Sequence, residues 1–168
     1  MRSIAFSLAS AFLAGAAALG ISPAASPASA AVTVSFSDPD QFTDISDRAL
    51  DVPNPRLLRE LTAYLQALGA KHLPPGQTLV VDVRDIDRAG RLEPWSGGTV
   101  PRILNEVTWP RMTLRYELRQ GGKLIAGEEK TLRDQNYLAR AQSGDMGDEL
   151  RYEKKMIEDW FVARFGAR

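Results

Sequence analysis

Residues 79–90 read LVVDVRDIDRAG, an apolar and polar alternation that gathers Asp82, Asp85 and Asp87 toward its end. A period of two marks a strand whose two faces meet different surroundings. Strict alternation sends Leu79, Val81, Val83, Asp85 and Asp87 to one face and Val80, Asp82, Arg84 and Ile86 to the other. The first set is a core face that ends in two carboxylates, and what those carboxylates do is the main functional question.

Upstream, AVTVSFSD alternates in the same way, with Val32, Val34 and Phe36 on one side and Thr33, Ser35 and Ser37 on the other. Pro39 and the neighbouring Asp residues break that strand. Then NPRLLRELTAYLQALGAKHLPPG places Asn54 to cap a helix and Pro55 at its first position, where the missing N–H costs nothing. Leu57, Leu58, Leu61, Leu65 and Leu68 follow at helical spacing, and Pro74, Pro75 and Gly76 end the run. Downstream of the quoted stretch, residues 88–107 hold two prolines and adjacent glycines without a sustained period, which predicts a long loop.

Met112, Leu114, Tyr116 and Leu118 alternate with charged residues up to Gly121 and Gly122, a two-residue hairpin signal. Uninterrupted pairing then sets Gln120 opposite Lys123, Arg115 opposite Glu128 and Tyr116 opposite Gly127, with a bulge at Gly127 relieving the poor match of Glu129 with Leu114. RDQNYLARAQSGDMG reads as a short helix and loop. The final segment, DELRYEKKMIEDWFVARF, starts on an Asp148 cap and lines up Leu150, Ile157, Trp160, Phe161 and Phe165, with RYEKKM on a wet face. The order of elements predicts a two-layer α+β fold, a mixed sheet of about four strands with helices on one face. The helix between the first two strands makes them parallel if they share that sheet.

The amino terminus has its own logic. Arg2, the apolar run Ile4–Ile21 and the small residues Ala28 and Ala30 have the order of a secretory signal, with cleavage after Ala30. Residues 31–168 then form a single α+β domain in the periplasm, with no transmembrane segment left. The chain contains no cysteine, one histidine, and 21 basic against 21 acidic residues. A disulfide framework, thiolate ligands and a cysteine nucleophile are excluded. Balanced, interspersed charge argues against a nucleic-acid partner.

Few residues remain for chemistry. His72, in the last turn of the first helix, suits the negative end of the helix dipole, and Ser96 in WSGG has no general base at a readable distance. If the first two strands are parallel neighbours, Asp38, Asp85 and Asp87 gather at their carboxyl ends, where open sheets tend to bind ligands. Carboxylates so placed repel unless an arginine, a proton or a hard cation such as Ca²⁺ or Mg²⁺ intervenes. Trp95, between Pro94 and Gly97, is the candidate stacking lid. No cofactor is assigned, and a divalent cation at Asp38, Asp85 and Asp87 belongs to the alternative below. The competing reading has these Asp residues taking turn hydrogen bonds or pairing with Arg88, Arg91 or Arg102.

VTVSFSDPDQFTD, LPPGQTLVVDVRDIDRAG, WPRMTLRYEL, GEEKTLRDQNYL and LRYEKKMIEDWF, in this order, resemble the exported bacterial family DUF3016, a domain of unknown function. The resemblance spans nearly all of residues 31–168. It implies a small exported protein and carries over no activity, cofactor or catalytic residue. The expectation is a soluble periplasmic binding or envelope-accessory module without catalysis, its partner an envelope protein or a small ligand. The alternative is a carboxylate-based or cation-dependent hydrolase.

Overall fold

The computed structural model describes residues 30–46, 52–93, 100–140 and 147–166. The expected signal segment, apart from Ala30, and the candidate lid residue Trp95 lie outside the described residues. In chain order come β1 (Ala31–Phe36), one turn of 3-10 helix (Pro39–Gln41), α1 (Pro55–His72) and β2 (Gln77–Asp87). The short strands β3 (Arg91–Leu92) and β4 (Arg102–Ile103) follow, then β5 (Arg111–Gln120), β6 (Lys123–Arg133) and α2 (Arg151–Phe165).

The main sheet has the order β1-β2-β5-β6. β1 runs parallel to β2, and β2, β5 and β6 are antiparallel in turn. β3 and β4 make a separate two-stranded ribbon within the expected long loop. The fold is α+β, as the pattern of elements predicts. Among the described residues, no helix is long and apolar enough to cross a membrane.

Local chemistry accounts for the main elements. Asn54 Oδ1 accepts from the Arg56 amide at 3.0 Å with Pro55 in the first turn, so α1 starts where its sequence says it should. Leu57, Leu61, Leu65 and Leu68 then face the sheet, fully or nearly fully buried. Each buried leucine contributes roughly 1.5–3 kcal/mol of transfer free energy. The hairpin between β5 and β6 turns on Gly121 and Gly122, with φ of 55° and 81°. These positive angles match the twist of the flanking strands and suit glycine at both positions.

One hydrophobic core joins the inner face of the sheet to both helices, including Leu79, Val81 and Val83 of β2, Met112, Leu114 and Tyr116 of β5, and Ile157 and Phe161 of α2. Gly69 of α1 lies directly over Val32 of β1, and a Cβ added there would stand 2.0 Å from Val32 Cγ2. A smaller cluster of Ala89, Tyr137 and Tyr152, with Leu104 and Trp109 packed against it, lies beyond the end of β2. Tyr137 pins the adjoining loop through its hydroxyl, which donates to Asn105 O at 2.8 Å and accepts from Asn105 N at 3.0 Å.

The structure corrects the two-face assignment of β2. The pairing with β5 shifts between Val83 and Asp85. Arg84 is the extra residue of a bulge, and the alternation changes phase across it. Ile86 is therefore fully buried, paired with Met112, while Asp85 and Asp87 leave the core face. Burial of one isoleucine in place of two carboxylates is the physical reason for the phase change.

The outer hairpin holds a second correction. Its irregularity lies between Leu118 and Arg119, with Ile125 inserted on β6, rather than at Gly127. Arg115 consequently faces Glu129, Tyr116 faces Glu128, and Gly127 lies opposite Glu117. The short helix expected after Arg133 is a run of turns, with Ala139 N donating to Asn136 O and Arg140 N to Tyr137 O. Nor is RYEKKM a wet face, because Tyr152, Glu153 and Met156 are buried.

Candidate functional site

β2 ends at Asp87, and the next residues turn inward instead of outward. Gly90, at φ 78°, donates its amide to Thr108 O at 2.8 Å. A Cβ there would meet Ile103 O at 2.6 Å, so the ribbon can close over β2 only above a glycine. That closure brings Arg102 of β4 beside the Arg88–Ala89 backbone, and α2 places its first turn against the same point.

Four charged side chains meet there. The Arg102 guanidinium grips Asp44 through both ends, Nη1 to Oδ2 at 2.6 Å and Nη2 to Oδ1 at 3.0 Å, and Nη1 also reaches Ala89 O at 3.2 Å. Arg88 is only 6% exposed, and its Nη2 donates to Glu149 O at 3.0 Å. Burial, and after it the nearby Arg102 charge, presses Arg88 below the ordinary guanidinium range. Glu153 is 1% exposed and accepts from the Ala89 amide through Oε1 at 2.8 Å, whereas Oε2 is buried with no hydrogen-bond partner. Burial lifts its carboxyl above the usual range, against the opposing pull of the Ala89 amide, its own amide, Arg88 and Arg102.

These groups adjoin a cavity of about 180 Å³ lined by Arg88, Arg102, Leu104, Arg151 and Tyr152 together with Gly147, Asp148 and Glu149. The Arg151 guanidinium carbon lies 4.6 Å from the centre of the Tyr152 ring, and Nη2 donates to the Tyr152 hydroxyl at 2.9 Å. The carboxylates at the rim are engaged. Asp148 accepts from Leu150 N at 2.8 Å and from Lys154 Nζ at 2.7 Å, while Glu149 pairs with Arg56 at 2.5 Å. Lys154 also holds Glu60 at 2.5 Å, so α1 and α2 are tied at the cavity's edge. Burial works against the Lys154 charge, but the two carboxylates outweigh it and raise its pKa.

The residues singled out from the sequence take separate positions. Asp38 precedes the 3-10 turn in a left-handed conformation, φ 54°, and its side chain makes no capping hydrogen bond. Asp85 accepts from Thr43 twice, from N at 2.8 Å and from Oγ1 at 3.1 Å. Asp87 is ion-paired with Arg111 and lines a second cleft, of about 380 Å³, beside Thr43, Asp44 and Arg91. Among the described residues, no three His, Asp or Glu side chains stand together in a way that could hold a metal ion. Asp82, on the face of β2 away from the core, is opposite Arg115 in register, accepts from Ser37 at 2.8 Å and pairs with Arg84 at 3.2 Å.

The sequence pattern does not predict the arginine cavity. In it Arg88 and Arg102 figure only as partners for the Asp residues, and Glu153 falls within the wet face of RYEKKM. One signal was available: Glu153 stands three and four residues before Met156 and Ile157, on the apolar stripe of α2.

No curated protein and no solved structure matches the chain. A family model, described as a protein of unknown function, matches residues 30–163, and that region also contains every side chain that builds the cavity. The chain belongs to the DUF3016 family.

Proposed function

We propose that this protein is an exported, periplasmic binding module that holds a small ligand in the Arg88–Arg102–Arg151–Tyr152 cavity and releases it unchanged. One observation carries the reading: four of the charged side chains that line this cavity are held by other residues of the chain. Arg102 is fixed by Asp44, Asp148 by Lys154, Glu149 by Arg56, and Arg88 by a backbone carbonyl. Polar groups held in this way recognise a ligand without reorganising to do so. Among the described residues, the cavity lining has no serine, threonine, cysteine or histidine, and its carboxylates are already occupied, so these residues offer no activated nucleophile. The signal-like amino terminus supports the periplasmic address.

The test is a thermal-shift screen of chemically diverse small molecules against the full chain, with Arg151→Met as the control. The expected result is a saturable rise in Tm for at least one compound, weakened in the variant, with the compound recovered intact after long incubation. A screen that finds no such compound removes the binding reading, and a hit that is chemically converted removes the non-catalytic part.

A further inference from the structure

We infer that the ligand of this cavity is a small oxyanion, a phosphate or a short carboxylate, held between Arg88 and Arg151 at the amino-terminal end of α2. The inference rests on the cavity being a binding site and goes on to name what it takes.

The arrangement of charge points to an anion. Arg102 has its counter-charge in Asp44, Asp148 has Lys154, and Glu149 has Arg56. Arg88 does not share this compensation. It is 94% buried by its 6% exposure, it lines the cavity, and its one hydrogen bond among the described residues goes to the uncharged carbonyl of Glu149. Its Nε is buried without any partner. Glu153, Asp44 and Glu149 act on Arg88 through space, but none of them forms an ion pair with it among the described residues. A buried cation without a paired anion is costly, and a ligand carboxylate or phosphate would remove much of that cost.

Two further features point the same way. The cavity is lined by residues of the first turn of α2, a helix of 15 residues whose amino-terminal end carries partial positive charge. Guanidinium groups such as those of Arg88 and Arg151 match the planar oxygen pairs of carboxylate and phosphate. Size narrows the class. A volume of about 180 Å³ falls below the roughly 300–1,000 Å³ typical of sites for drug-sized ligands. A few heavy atoms around one anionic head fit that space.

The experiment titrates the full chain with sodium phosphate and, separately, with sodium acetate and sodium succinate, each against sodium chloride at equal ionic strength. Affinity is read by calorimetry and Tm by thermal shift. At least one oxyanion should raise Tm saturably beyond chloride. Arg151→Met, at the partly open wall, should lower its affinity at least about tenfold, the loss expected for a charge-assisted contact. Arg88→Lys keeps the buried charge and should bind more weakly than the wild type but more tightly than Arg88→Met. If Arg88→Met does not fold, Arg151→Met and Arg88→Lys still decide. No saturable effect beyond chloride, or full affinity in Arg151→Met, overturns the inference. If neutral or cationic compounds bind the cavity while oxyanions do not, the binding module stands and the oxyanion assignment falls. If no class of compound binds, both fall.

Discussion

Arg102 and Asp44 form a two-pronged ion pair, 2.6 and 3.0 Å, that joins the β3–β4 ribbon to the loop after β1. Arg102 lines the arginine cavity and Asp44 lines the neighbouring cleft that holds Asp87, so the pair separates the two spaces. With side chains 12% and 21% exposed, it lies between a surface pair and a buried one. Arg102→Met should therefore cost about 2 kcal/mol of unfolding free energy, more than the ~0–1 of exposed pairs and less than the ~3–5 of buried ones. Urea denaturation checks this, and Arg102→Met combined with Asp44→Asn should cost less than the sum of the single changes.

Glu153 predicts a pH dependence of known sign. Its folded pKa is raised, so the carboxyl is protonated in both states at a pH below its unfolded value of about 4.3, and no charge is buried. As pH rises through the folded value, the unfolded chain gains more from ionising and the contribution to stability is lost. Glu153→Gln retains an oxygen for the Ala89 amide and cannot ionise. Its urea midpoint should therefore improve relative to the wild type between pH 4 and pH 8, and a gap that stays constant over that range would contradict the assignment.

The β2 bulge can be tested by counting residues. Arg84 is exposed and paired loosely with Asp82, so Arg84→Ala should change stability by less than about 0.5 kcal/mol. Deleting Arg84 should also be tolerated, because Val83, Asp85 and Ile86 then alternate regularly opposite Leu114, Thr113 and Met112, with Asp85 still outward and Ile86 still in the core. Ile86→Ala should cost about 2–5 kcal/mol, as expected for a fully buried side chain. Chemical denaturation of the three variants gives the comparison.

Gly69 predicts a substitution that helix propensity alone would misjudge. Glycine to alanine within a helix should gain about 1 kcal/mol. Here the new methyl would overlap Val32, whose branched side chain has little rotational freedom, so Gly69→Ala should lower Tm by an amount equivalent to about 1–3 kcal/mol. Val32→Ala in the same chain should restore part of the loss.

The legible parts of this fold are those that sequence encodes by period or by a single committed residue. Asn54 and Pro55 open α1, its leucines face the sheet, and the Gly121–Gly122 pair turns the hairpin. The bulges were hidden because an inserted residue leaves no compositional mark. A polar Arg84 or an apolar Ile125 suits an extended strand as well as an irregular one. Strict alternation, blind to the bulge at Arg84, carries Asp85 and Asp87 to the core face, whereas the observed register turns them away from it. The arginine cavity was hidden for another reason. Arg88, Arg102 and Glu153 are far apart in the chain, and a buried ion cannot be told from a solvated one until tertiary contacts decide its surroundings.

Because one wall of the cavity is the first turn of α2, the cavity exists only when parts of the chain far apart in sequence have met. Arg88 and Arg102 come from the end of β2 and from β4, whereas Arg151 and Tyr152 arrive with α2. Until α2 docks, that wall is missing. A molecule held there would thus report the docking of a helix and not merely a formed sheet.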